Sequence, residues 1–442
     1  MSDFREIADA IACDIASGHL RPGERLLPQR EFAYQRGIAA STASRVYAEL
    51  SRRGLISGEV GRGTFIRSAL AQSDPALTEP AFAPLDLELN FPILPEQAAD
   101  LLQAFHSTLR LDTIHQALQP VGATASLPAR TIVSGFLARG GWTPEAANIL
   151  FTGNGKQAIA AAVAALARPG HRIGVEALTY PVVKGIAARL GVSLVPLKLD
   201  AEGIVPDALL EAHQAGPLSA IYLQPCLHNP LGITMGISRR REIARILQQT
   251  DMVAIEDAIY GFLTVSEPLA ALAPDHVIVV DSFSKRVAPG VTLGFIASPA
   301  HLCDRIAGAI RAGAWSASGL PLTVGLQLIV DGTADRIGKL KRDDAVARQA
   351  MARDVLSGLR VSSDPRAYHL WLELPGDWRA ETFVAAASKR GIAICGGSAF
   401  AVGPGHAPNA VRIALSAPPR DALLAGLRML RSLIGEDIAD VG

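Results

Sequence analysis

Glu256-Asp257-Ala258-Ile259-Tyr260 and Asp281-Ser282-Phe283-Ser284-Lys285 are the two stretches on which the reading of this chain turns. Each closes a short apolar run, 253–256 and 277–281, with the length and composition of a buried strand. Ligands of open α/β sheets bind past the carboxyl ends of the strands, so these are positions where chemistry is placed. A buried lysine that sheds its proton can attack an aldehyde, and a carboxylate opposite a pyridine nitrogen keeps that ring protonated and electron-withdrawing. Lys285 and Asp257 supply that pair. Read singly, Lys285 is equally a surface-loop lysine and Asp257 a helix cap. Motifs recurring in order at successive strand ends favour the site.

Working outward, apolar runs at 149–152, 172–176, 193–197, 220–224 and 292–297 alternate with helical ones, which predicts a largely parallel sheet under covering helices. Past the first run, Gly153-Asn154-Gly155-Lys156-Gln157 opens an alanine-rich helix and points free N–H groups at an anion, although such a glycine turn alone often serves only the turn. His228-Asn229-Pro230-Leu231-Gly232, after 220–224, adds an amide able to hydrogen-bond a phenolic oxygen. The tail predicts strands at 368–374, 392–395 and 410–416 and a helix at 420–434, a smaller α+β part.

The first seventy residues have a different pattern. Phe4, Ile7, Ile11 and Ile15 predict a helix over 3–17, and Gln29 to Arg36 a two-turn helix between Pro28 and Gly37. Ser41 is placed to cap a third helix with Ala43, Val46 and Leu50 as its buried stripe. Runs 55–57 and 64–66 predict a hairpin about Gly58 to Gly63, and three helices with such a hairpin make a winged helix-turn-helix. Residues 68–85, rich in Ala, Pro, Ser and acidic side chains, are expected to link two cores. The expected division is therefore a DNA-binding domain over 1–68, a linker over 69–85 and an α/β domain over 86–442, whose large part is about 120–325 and small part about 326–442.

Composition narrows the classes. A chain of 442 residues with 49% hydrophobic content supports several cores. Zero net charge means that any nucleic-acid binding must be local, and 1–70 carry ten Arg against eight Asp or Glu. Four scattered cysteines, Cys13, Cys226, Cys303 and Cys395, suggest neither a disulfide framework nor a metal site. With no signal segment and no long apolar stretch, a cytoplasmic protein without a membrane anchor is expected.

Leu20-Arg21-Pro22-Gly23-Glu24-Arg25-Leu26 through Gly61-Arg62-Gly63-Thr64-Phe65 resembles the GntR-type winged helix, and 148–416 resembles the fold-type I aminotransferases, which bind pyridoxal 5'-phosphate (PLP). Together they resemble the MocR subgroup of GntR-type regulators. The resemblance implies DNA contacts from Arg30, Ser41, Thr42, Ser44, Arg45 and Arg62. It implies Lys285 as the lysine bonded to the cofactor aldehyde, with Asp257, Tyr260 and Asn229 around the ring, Tyr180 stacked on it, and Gly155, Lys156, Gln157, Ser282 and Ser284 near the phosphate. Arg412 matches the arginine that grips a substrate or effector carboxylate. Four departures stand out: Ala39-Ala40 where a Ser-Arg entry to the recognition helix is usual, Thr292 for a phosphate-binding arginine, Ala117 for a tyrosine that reaches a partner's phosphate, and Leu231 for a threonine. Lys156 or Arg286 could restore the missing charge.

These readings lead to a homodimeric regulator of double-stranded operator DNA that senses PLP or a small amino compound. Two alternatives stay open: a working aminotransferase that carries a DNA-binding domain, and a regulator whose large domain no longer binds PLP.

Overall fold

The computed structural model describes residues 4–16, 19–20, 24–52, 55–59, 63–66, 83–264, 266–402 and 407–436. These divide into two compact units, 1–78 with 401–408, and 79–400 with 409–442.

In the first unit, α1 (Phe4–Ala16), α2 (Gln29–Arg36) and α3 (Ala40–Arg52) bury Ala8, Ile11, Phe32, Val46, Tyr47 and Leu50. Each such large apolar side chain contributes roughly 1.5–3 kcal/mol when fully buried. Phe32 meets Tyr47 edge-on at 5.4 Å, and the Tyr47 hydroxyl donates to the Leu27 carbonyl. Gly37 ends α2 at φ +61°, a left-handed conformation that favours glycine. The hairpin of β2 (Ile56–Glu59) and β3 (Gly63–Ile66) gains a strand that periodicity did not show, β1 (Arg25–Leu26), in the order β1-β3-β2. Ser41 is not the cap of α3. The helix begins one residue earlier, where the Ala39 carbonyl accepts from the amides of Thr42 and Ala43, and Ser41 lies in its first turn.

The second unit is built on seven strands: β4 (Ile149–Thr152), β5 (Arg172–Glu176), β6 (Ser193–Leu197), β7 (Ala220–Leu223), β8 (Ala254–Asp257), β9 (Val277–Ser282) and β10 (Gly294–Ala297). Their order is β4-β10-β9-β8-β7-β5-β6. All neighbours are parallel except β10, which runs antiparallel to both β9 and β4. The strands in the middle of this sheet are buried along their whole length, Ala254–Asp257 and Val277–Ser282 alike, and carry polar side chains only at their carboxyl ends. Phe283 packs edge-on against Phe136 at 5.5 Å and Phe295 at 5.3 Å beneath the turn that carries Lys285.

A second, antiparallel sheet joins β11 (Val361–Ser362), β12 (His369–Glu373), β13 (Cys395–Gly396) and β14 (Ala410–Ala414) in the order β11-β12-β14-β13. The single strand expected at 392–395 is two pieces, and Ile392–Ala393 pairs in parallel with Leu85–Asp86. Leu85, expected in the linker, is thus buried with Leu87 in the core of the smaller part. The division between large and small parts also differs from 326. It falls within the long helix α4 (Thr333–Val355), whose Ala334 and Ile337 join the large core while Ala352 joins the small one. No helix of the described residues is long and apolar enough to cross a membrane.

Candidate functional site

Strands β8 and β9 lie side by side with Asp257 opposite Val280. Asp257 at the end of one and Lys285 on the turn after the other therefore emerge from the same edge of the sheet. Asp257 is buried, and its Oδ2 accepts from the Tyr222 hydroxyl at 2.6 Å and Gln224 Nε2 at 2.8 Å. Its Oδ1 accepts from the amide of Ile259 at 3.1 Å. Burial outweighs these bonds and pushes the carboxyl up to about 6. The Lys285 ammonium donates to the carbonyl of Asn90 at 2.5 Å and stands 3.3 Å from the centre of the Phe91 ring. Burial, reinforced by Arg412 and Lys156 and opposed by Asp257, holds this amine well below the ordinary lysine range. A lysine so shifted gives up its proton more readily and is the better nucleophile for it.

Arg412, buried on β14, donates to the carbonyl of Glu88, lies over Phe400 at 5.4 Å and leaves its Nε without a partner. Tyr260 accepts from Asn90 Nδ2 at 2.8 Å, and burial pushes its hydroxyl up to about 12. Tyr180 caps the helix Pro181–Leu190, and burial together with the charges of Asp257 and Tyr260 raises its hydroxyl well above the usual range. Lys285, Asp257, Tyr260, Tyr180 and Arg412 thus lie within electrostatic reach of one another. Asn229 is buried, its main-chain N–H donates to Gln224 Oε1 at 3.1 Å, and its side-chain Oδ1 has no partner. Gln224 therefore ties Asn229 to Asp257, and its main-chain N–H donates to Glu176, which in turn faces His228 at 3.3 Å.

At the other end, Asn154 caps the helix Gly155–Leu166 by accepting from the Gln157 amide at 3.0 Å. A Cβ on Gly155 would lie 3.1 Å from Ser282 Oγ, so glycine lets the two segments meet. Ser282 Oγ accepts from the Ser284 amide at 3.2 Å, and the hydroxyls of Ser284 and Thr292 are 2.6 Å apart. Thr292 thus adds a hydroxyl where the expected arginine is missing. Lys156 is exposed, and the Gln157 side-chain oxygen is buried without a partner. Arg286 does not replace the lost charge: it is buried, pairs with Asp281 at 3.2 Å and stacks on Phe136 at 4.1 Å. Ala117 ends the helix Leu111–Ala117, where a Cβ on Gly319 would lie 2.0 Å from its carbonyl oxygen.

Sequence reading missed Tyr222, Gln224, Asn90, His369 and Lys341. Tyr222 and Gln224 follow the two-residue period of a strand that ends at the site, a signal within reach. Asn90, His369 and Lys341 had none, because their partners are distant in the chain.

In the first unit Arg30 is exposed on α2, Ser41, Ser44 and Arg45 are exposed on α3, and Thr42 is half-buried. The Arg45 guanidinium lies over the Phe4 ring at 6.0 Å. Arg62 lies outside the described residues.

The donor set fits PLP. A nucleophilic amine and a buried acid stand at neighbouring strand ends, and hydroxyls cluster with a helix N-terminus. Unpartnered polar atoms of Asn229, Gln157 and Arg412 are left for a ligand. Fold and site together define a PLP-binding protein of the aminotransferase type joined to a winged helix. Residues 4–66 match the gntR family of bacterial regulatory proteins and 123–428 match aminotransferase class I and II. An HTH-type transcriptional regulator of Bacillus subtilis strain 168, YdeF, is 31% identical across 98% of this chain and 94% of its own length. The vitamin B6 salvage pathway transcriptional repressor PtsJ of Salmonella typhimurium is 27% identical across 93% of this chain and 94% of its own. An archaeal alanine:glyoxylate aminotransferase structure superposes with a TM-score of 0.73 at 20% identity, covering 80% of this chain and 91% of the other. The chain belongs to the GntR-type regulators that carry an aminotransferase class I/II domain, and is a DNA-binding transcriptional regulator with a PLP-binding domain.

Proposed function

We propose that PLP, alone or joined to a small amino compound, is the signal this regulator reads, and that occupancy of the site changes how its winged helices engage operator DNA. The observation that carries the reading is the Lys285 amine, held below its ordinary pKa, beside Asp257 on adjacent strand ends. PLP supplies an aldehyde that bonds amines reversibly and a ring that draws electrons. Lys285 would bond that aldehyde, Asp257 would pair with the ring nitrogen, and Tyr180, Tyr260 and Asn229 would flank the ring. Gly155, Lys156, Gln157, Ser282, Ser284 and Thr292 would hold the phosphate, and Arg412 the carboxylate of an amino compound. Arg30, Ser41, Thr42, Ser44, Arg45 and Arg62 would meet DNA in a cytoplasmic protein. The name of PtsJ, a repressor of vitamin B6 salvage, supports a cofactor-related signal.

A homodimer would present two DNA-reading heads to paired half-sites. Its support is the exposed set Leu102, Leu109, Leu111, Leu118 and Leu127, apolar surface that a lone unit leaves in water. The test is operator binding with and without PLP, for wild type and Lys285→Ala. A PLP-dependent change in affinity that the variant loses is expected, and equal responses overturn the reading. Catalytic turnover is the second reading, favoured by the intact Lys285, Asp257 and Arg412. Sustained conversion of an amino donor and a keto acid would establish it.

A further inference from the structure

Between the two parts of the second unit lies a chain of hydrogen bonds whose direction can be worked out proton by proton. His369 Nε2 is 3.0 Å from the main-chain carbonyl of His228. A carbonyl only accepts, so Nε2 carries the hydrogen. The ring is buried among other cations, which pushes its pKa down to about 3 and keeps it neutral, so Nδ1 has a free lone pair. Nδ1 faces Asn90 Nδ2 at 3.3 Å and must accept from it. That fixes the orientation of the Asn90 amide, since an oxygen in its place would confront the lone pair. The second hydrogen on the same nitrogen goes to the hydroxyl oxygen of Tyr260 at 2.8 Å. With its oxygen already accepting from Asn90, Tyr260 must direct its own proton elsewhere.

Asn90 also holds Lys285 through its main-chain carbonyl, so Tyr260 and the amine share one anchor. PLP carries a phenolic oxygen on the ring carbon next to its aldehyde, an acceptor that arrives wherever Lys285 bonds that aldehyde. We infer that His369 and Asn90 are positioning residues which lock Tyr260 as a hydrogen-bond donor to the ring oxygen of bound PLP. The inference rests on the cofactor reading above and adds to it two residues that belong to neither strand-end motif. A phenol free to rotate would spend part of its time donating elsewhere. Locked, it stabilises the anionic ring oxygen and keeps the nitrogen bonded to the aldehyde carbon from holding its proton at high pH.

The first measurement uses ligand-free protein. Nitrogen NMR of His369 should show the Nε2–H tautomer, and a ring protonated on Nδ1 overturns the relay. The second is the pH midpoint of the visible band of the PLP-loaded protein. Tyr260→Phe is expected to raise it by about one unit, the scale of one charge-assisted hydrogen bond. Asn90→Leu, which keeps shape and removes the donor, should raise it by part of that amount in the wild-type background and not at all on Tyr260→Phe. An unshifted midpoint in Asn90→Leu, or the same shift in both backgrounds, overturns the proposal. If wild type shows no visible band with PLP, the cofactor reading is what has failed, and the tautomer alone decides the relay.

Discussion

The side-chain amine of Lys341 donates to the main-chain carbonyls of Lys285 at 3.0 Å and of Val287 at 2.6 Å, from a position on α4 with no exposure to solvent. Two carbonyls match the two hydrogens of a neutral amine, and burial pushes this lysine down to about 7, with Asp344 opposing. The unfolded chain keeps the proton up to about pH 10.4, so between 7 and 10.4 it holds more protons than the folded protein and stability rises with pH. Lys341→Met should flatten that rise and cost about 1–3 kcal/mol at pH 9, because the Lys285 carbonyl loses its donor and the Val287 carbonyl keeps only Gln97 Nε2. Urea midpoints of both proteins between pH 7 and 9 test it. A wild type that weakens relative to the variant across that range contradicts the assignment.

Asp257 sets a pH dependence of cofactor binding in a lower range. Only its carboxylate pairs with a protonated ring nitrogen, and burial places the carboxyl near 6. PLP affinity should therefore decline as pH falls through 6. Asp257→Ala should weaken it roughly 10- to 150-fold at pH 8, the scale of a hydrogen bond to a charged group, and lose this pH dependence. Absorbance titrations between pH 5 and 8 would show a parallel decline in variant and wild type if the reading is wrong.

On the DNA side, the exposed Arg30 is expected to contact phosphate. Arg30→Ala should weaken binding across sequences and lower the slope of log affinity against log salt by about 1, with the PLP band unchanged. Anisotropy titrations at several salt concentrations measure the slope, and an unaltered slope removes Arg30 from the interface.

Gly294 tests the packing that brings β10 against β4. A Cβ there would lie 2.1 Å from Thr152 Oγ1 and 2.5 Å from the Asn154 carbonyl, whereas one on Gly290 would meet nothing within 4 Å. Gly294→Ala should cost about 1–3 kcal/mol or more, and Gly290→Ala no more than about 0.5. Equal thermal shifts in the two variants would show that the strand gives way more easily than its contacts indicate.

Strand ends were the legible part of this molecule. Asp257, Asn229 and Lys285 each follow an apolar run, and a local pattern of that kind survives in the chain order. What the sequence hid was burial. Lys156 and Arg286 are both cations near the phosphate motifs, yet one is exposed and the other is stacked on Phe136 and paired with Asp281. The Asn90–His369 and Lys341–Lys285 contacts join residues far apart in the chain, and each lone polar residue has no pattern around it to announce its partner. The linker's end was misplaced for the same reason: Leu85 reads as spacer until Ile392 supplies the strand beside it.

The stretch that enters the second unit by way of Leu85 also lends its backbone oxygens to the two groups proposed to meet a visiting molecule. Glu88 occupies Arg412 and Asn90 occupies Lys285, two positions apart on one segment. A guest that claims either side chain evicts main chain and trades one bond for a similar one. The net change is small, on the order of 1 kcal/mol. For these two contacts the trade is nearly even, so the segment from Asp86 through Asn90 is the part of the second unit whose bonds any occupant of the proposed site would exchange.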